Sequence, residues 1–303
     1  MMLIFNNKKN IMEVLKLGSK GENVKILQDY LDIKIDGEFG PNTERAVKEF
    51  QKRKALVFDG VVGKDTWAAM GYISTDLSEN KEEAKGVDII EYCLPAGEYV
   101  KQRTKKEWVF LHHTAGWDNP KRTIDAWAKD KRGPVATEFV LGGQNIKTVD
   151  KSNDGVLVQA FPTGFYGWHL GTGSKKLHTG SVGIEICNFG QLVDGKTYVG
   201  TVAHQTQIVK LAKPFRGYQY WHKYSDTQIS VLKNWILFIA DRDDIDVRKG
   251  LIELIHKKGA DAFDHFDLSL VEKTRGLWTH TNVRKDKVDL FPQPELIDML
   301  LSI

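Results

Sequence analysis

The sequence predicts an α/β domain with one mixed central sheet flanked by helices, preceded by a small three-helix module. Three observations carry this expectation. The runs Trp108–His113, Thr137–Leu141 and Val182–Cys187 are short, apolar and of strand length. The stretches 121–131 and 226–241 show helical spacing, and in the second Ile229, Leu232, Ile236 and Ile239 form one stripe. Strands alternating with helices argue for an α/β layer structure. Ahead of them, the first seventy residues contain an internal duplication.

The duplicated unit reads IDGEFGPNTERAV at 35–47 and FDGVVGKDTWAAM at 58–70, an offset of 23 residues. Each copy places an Asp-Gly turn before a helix start, with glycine where a positive φ is expected. Pro41 and Lys64 fall in the first turns of those helices, where proline is tolerated. Thr43, Ala46, Val47 and Phe50 lie on one helical face, and Val24, Leu27 and Leu31 form a further stripe upstream. A three-helix module is therefore expected over 1–73, with its core at 15–72. Residues 74–86 are polar and aperiodic, the composition of a linker, and a second domain is expected over 87–303.

Composition narrows the function classes. Forty-three basic against 40 acidic residues leave a net charge of only +3, so nothing argues for a nucleic-acid partner. Two cysteines, Cys93 and Cys187, cannot make a disulfide scaffold. No apolar run reaches the ~20 residues that span a bilayer. The opening MMLIF precedes its lysines, the reverse of a secretory signal, so synthesis in a cytoplasm without a signal peptide is expected. A monomer is the expected state.

Three segments carry candidate chemistry. In VFLHHTAG, 109–116, adjacent histidines end a buried strand and must point to opposite faces, so only one can enter a given site. A strand-end histidine is more often structural than a ligand. In the C-terminal segment 278–289, His280 and Asp289 flank Lys287 at a spacing that fits no single helical face, so a loop would have to bring them together. In SVGIEIC, 181–187, Glu185 interrupts an apolar strand, which is costly unless the carboxylate is paired or lines a wet cleft. A salt-bridged core glutamate is the bland reading. Gly183 and the glycine-rich lead 171–180 favour a site beside an open loop.

Taken together, LxxGSKGENVxxLQxxL, DGxFGxxTxxAVxxFQ and DGxVGxxTW resemble the peptidoglycan-binding domain type 1 family, which implies that the first module binds bacterial cell wall. VFLHHTA, then GWHLGTG with HTGSVGIEI, then THTN…KVD resemble, in that order, the type 2 N-acetylmuramoyl-L-alanine amidases. That family includes amidase-type phage lysozymes and peptidoglycan recognition proteins. The resemblance implies zinc held by His112, His280 and Asp289, Glu185 as the proton-transferring carboxylate and Lys287 as a transition-state stabiliser. It also implies that His169 contacts substrate; Trp168 beside it could stack on sugar. Peptidoglycan is the implied partner, and a phage endolysin that reaches the wall after release is the implied setting. The competing reading is a recognition protein that keeps the cleft and lacks activity.

Some features fit less well. Glu138 stands where many members carry histidine or tyrosine, which would change how substrate is gripped. Cys187, two residues beyond Glu185, could approach the metal or simply pack. His178, His204, His222, His256 and His265 lack partners at ligand spacing. Residues 190–276 exceed what a minimal amidase needs and are expected to form an extra helical subdomain, a lid or a surface insertion.

Overall fold

The computed structural model describes residues 13–54, 56, 58–70 and 87–303. The chain divides into two compact units, Met1–Glu82 and Glu83–Ile303. The expected linker at 74–86, the opening residues 1–12 and residues 71–73 of the expected module lie outside the described residues.

In the first unit α1 (Glu22–Tyr30), α2 (Pro41–Arg53) and α3 (Lys64–Ala69) surround Leu15, Val24, Leu27, Val47, Phe50 and Trp67. Pro41 and Lys64 open their helices because the turns before them, with Gly37 at φ 73° and Gly60 at φ 81°, reverse the chain. The duplication is reproduced as a hydrogen-bonded knot. Gln28 Nε2 donates to Asp36 Oδ1, Glu38 O and Thr43 Oγ1 at 2.8, 3.0 and 3.2 Å. Twenty-three residues on, Gln51 Nε2 donates to Asp59 Oδ1, Val61 O and Thr66 Oγ1 at 3.1, 2.8 and 3.2 Å. Each glutamine oxygen accepts the N–H of its turn glycine, Gly37 or Gly60. Both amides are buried, so these bonds replace the water they lose.

The second unit is built on a six-stranded mixed sheet. Its strands are β1 (Ile89–Glu91), β2 (Trp108–His113), β3 (Phe139–Leu141), β4 (Leu157–Gln159), β5 (Ser181–Ile186) and, near the C-terminus, β9 (Gly276–Thr279), in the order β1-β4-β3-β5-β2-β9. Only β3 and β4 run antiparallel. β2 and β5 are central, which is why both read as near-continuous apolar runs. Between β2 and β5 lie α4 (Pro120–Trp127) and α5 (Lys175–Thr179). α4 is shorter than its apolar spacing predicts. Asn119 caps its start, and Asp130 turns the chain soon after its end by accepting the Arg132 N–H.

Residues 190–276 are not a purely helical insertion. β6 (Gln191–Leu192), β7 (Ile208–Phe215) and β8 (Tyr218–His222) form a separate antiparallel sheet in the order β6-β8-β7. α6 (Asp226–Asp243) follows, opened by a Ser225–Gln228 capping box and buried through Ile229, Leu232, Trp235, Ile236 and Ile239. α7 (Leu251–Lys258) and α8 (Leu268–Lys273) complete the stretch, and α9 (His280–Val283) and α10 (Pro294–Leu301) end the chain. Among the described residues no helix is long and apolar enough to cross a membrane.

Candidate metal centre and its cleft

Adjacent parallel strands bring the candidate residues to one edge of the sheet. In the β2–β5 register His112 lies opposite Glu185 and His113 opposite Ile186; in the β2–β9 register Leu111 lies opposite Thr279. His112 and Glu185 therefore project from the same face, and alternation sends His113 to the other. His280 is the residue after β9 and opens α9, with Thr279 and Asn282 forming a capping box around it. The His112 and His280 rings stand 4.6 Å apart between centroids.

Asp289 enters from the loop after α9. Its Oδ2 is 3.3 Å from His112 Nδ1 and 3.0 Å from His280 Nδ1. One donor atom from each of the three buried residues lies within 4.8 Å of the other two. The outward nitrogens are engaged as well. His280 Nε2 is 2.8 Å from the Leu170 carbonyl, which can only accept, so Nε2 donates there, while Nδ1 is in hydrogen-bond contact with Asp289 and would turn its lone pair to a metal placed between them. His112 Nε2 is 3.0 Å from His169 Nδ1, while His112 Nδ1 is buried and, despite the nearby carboxylate, lacks an aligned hydrogen-bond partner. An orphaned buried nitrogen costs about 1–3 kcal/mol. Two imidazoles and a carboxylate converging on one point are a donor set suited to a divalent metal.

The charges respond to this crowding. Burial lowers the His112 pKa to about 4 and so favours the neutral, metal-binding form. Burial alone would raise the Asp289 carboxyl, but the facing His280 and His112 more than offset it and hold Asp289 well below the usual carboxylate range. Glu185 moves the other way. Burial, with Asp289 adding to it and Lys287 opposing, pushes it well above its ordinary value. Its Oε2 is buried without a hydrogen-bond partner among the described residues. Among the described residues no salt bridge holds it there, contrary to the bland reading of a salt-bridged core glutamate.

A cavity of about 500 Å³ opens beside this cluster, lined by Trp168, His169, His178, His280, Arg284 and Lys287 among others. Trp168 meets His178 edge-on at 4.8 Å. His178, set aside in the sequence for want of a partner at ligand spacing, is thus a cleft residue; its nearness to the GWHLGTG segment was the available signal. His169 lines the cavity, yet both its ring nitrogens are engaged, Nδ1 by His112 and Nε2 by Ser181 Oγ at 2.8 Å. Gly183 makes room for that ring, since a Cβ there would come within 3.0 Å of His169 Nδ1. Its glycine serves this close approach rather than the open loop expected beside Glu185.

Other candidates fall elsewhere. His113 Nδ1 pairs with the Tyr224 hydroxyl at 2.8 Å on the opposite face. Cys187 packs with Leu94, Ile124 and Val158, and does not belong to the three-residue cluster. Glu138 is buried against Arg242 at 2.8 Å and is held by Gln159, so a grip on substrate through this residue is not what its surroundings offer.

The N-terminal unit has a recognisable affiliation. Residues 20–70 match the family model described as "Putative peptidoglycan binding domain". A curated relative from Kitasatospora aureofaciens, described as an uncharacterized protein in bpoA1 3'region, is 39% identical over 69 residues, 20% of this chain and 58% of its own length. Phage endolysins are among the structural neighbours. The Burkholderia AP3 phage endolysin is 36% identical over 19% of this chain and 24% of its own, with a TM-score of 0.19. PlyL is 10% identical, covering 54% of this chain and 78% of its own, with a TM-score of 0.35.

Proposed function

We propose that this chain is a zinc-dependent N-acetylmuramoyl-L-alanine amidase, a peptidoglycan hydrolase of endolysin type. In this reading a three-helix wall-binding domain, 1–73, is joined through 74–86 to a catalytic domain, 87–303, that acts as a monomer on the wall after release from the cytoplasm. The observation that carries it is the partnerless His112 Nδ1, buried and converging with His280 Nδ1 and Asp289 Oδ2. The peptidoglycan-binding match of residues 20–70 supports the substrate.

His112, His280 and Asp289 would hold the metal and leave a coordination position open, as catalytic rather than structural sites do. Zinc, when bound, supplies Lewis acidity toward the scissile carbonyl and toward the attacking water. Glu185, beside His112 across the β2–β5 pair, takes the proton from that water at its carboxylate and delivers it to the leaving nitrogen of L-alanine. The Lys287 ammonium faces the oxyanion that develops on the carbonyl oxygen. Trp168, at the cavity wall, offers an aromatic face to the sugar.

Metal analysis with a wall-lysis assay before and after chelation tests this reading. About one zinc per chain, loss of lysis on chelation and recovery with zinc are expected. The products should show new alanine amino termini and no new reducing sugar ends. Zinc binding with no cleavage would instead identify a recognition protein, and full activity without metal would remove the mechanism.

A further inference from the structure

The β7–β8 hairpin turns on Arg216 and Gly217. Arg216 takes φ 49°, a left-handed conformation that two-residue hairpins usually give to asparagine, aspartate or glycine. The turn alone therefore does not select arginine. Its side chain, 10% exposed, leaves the hairpin and enters the loop that follows α9. One terminal nitrogen donates to the carbonyls of Arg284, Lys285 and Lys287, the first two at 3.2 and 2.7 Å. The other terminal nitrogen reaches Thr281 O at 3.4 Å, and Nε binds Asp264 Oδ1 at 2.8 Å.

We propose that Arg216 is a positioning residue for the candidate metal centre, fixing the 284–289 loop so that Asp289 and Lys287 are held at their places before metal or substrate arrives. The proposal rests on the zinc reading above and assigns a task to the strand-forming part of 190–276. The loop has no regular secondary structure between α9 and Asp289, so its carbonyls have no ladder partners and gather on one planar cation instead. Lys287 is held through its own carbonyl, and Asp289 lies two residues further on. A ligand restrained in this way loses less freedom on binding metal, and supporting groups of this kind typically contribute 10–100-fold in affinity.

Arg216→Lys, which keeps the charge and loses the fork, tests it in the full chain by zinc competition against a chromophoric chelator. Zinc affinity is expected to fall about 10–100-fold, with apoprotein circular dichroism unchanged. Asp264→Ala removes the acceptor of the Nε contact and should weaken zinc in the same direction by less; it serves as the reading if Arg216→Lys does not fold. Unchanged zinc affinity in folded Arg216→Lys, or in Asp264→Ala where it alone folds, overturns the proposal. Failure of the wild-type chain to bind zinc would instead overturn the zinc reading itself.

Discussion

The imidazole of His169 stands behind that of His112, Nδ1 to Nε2 at 3.0 Å, and is tied in turn to Ser181 through its own Nε2. If His112 presents Nδ1 to a metal, its Nε2 carries the proton and donates to His169, whose Nε2–H then donates to the Ser181 hydroxyl. Burial holds His169 well below the ordinary histidine value, which keeps it neutral and able to accept. His169→Ala should therefore lower zinc affinity about 10–100-fold. His113→Ala, on the opposite face, should bind zinc as the wild type does and lose only stability. Chelator competition on both proteins checks this; the reverse order would exchange the two faces.

Glu185→Gln keeps the shape of a side chain whose Oε2 is buried without a partner. Fold and zinc content should survive, and turnover should fall about 10²–10⁴-fold, the usual contribution of a general acid–base group. Zinc lost from a folded variant would make Glu185 a ligand. An unchanged rate would remove it from the chemistry.

Gln51→Met removes an amide that donates to three acceptors and accepts from Gly60. Unpartnered buried groups cost about 1–3 kcal/mol each, so amide exchange across 41–70 should accelerate by roughly ten- to a hundredfold. Peptides from the sheet of the second unit should keep wild-type protection. Equal exchange in both proteins would make the knot energetically idle.

His222 supplies a pH signature. Its Nδ1 accepts the Phe189 N–H at 3.1 Å, and burial, with His113 adding to it, lowers its pKa from 6.5 to about 3. The unfolded chain takes up this proton below about pH 6.5, whereas the folded chain resists until about pH 3. The stabilisation is thus complete above the unfolded value and is lost as pH falls toward the folded one, by up to ~1.4 kcal/mol per pH unit. His222→Gln should be less stable near neutrality, and its melting temperature should decline less steeply between pH 6.5 and 4. Parallel declines would assign the acid sensitivity to other groups.

The strands around His112 and Glu185 were legible because a central parallel strand must be apolar on both faces, and an interrupting carboxylate is then conspicuous. The Asp-Gly repeat was legible because turn chemistry is local. Arg216 left no such trace. An arginine in an aromatic-rich segment reads as a solvated charge, and only the folded hairpin brings it to carbonyls some seventy residues away. The strands of 190–222 escaped for a related reason, since a small sheet beside the main core mixes polar and apolar residues without clean alternation.

What the sequence determined by itself was therefore periodic or local: the strands β2 and β5, the helix α6, the duplicated turns and the residue types able to bind metal. The tertiary structure decided which nitrogen of each histidine faces inward, that His169 backs His112, that Glu138 belongs to Arg242, and that a distant hairpin holds the Asp289 loop. These depend on strand register and on contacts between segments far apart in the chain. Such contacts are selected by packing and hydrogen-bond satisfaction across the whole domain, a constraint that no local pattern carries.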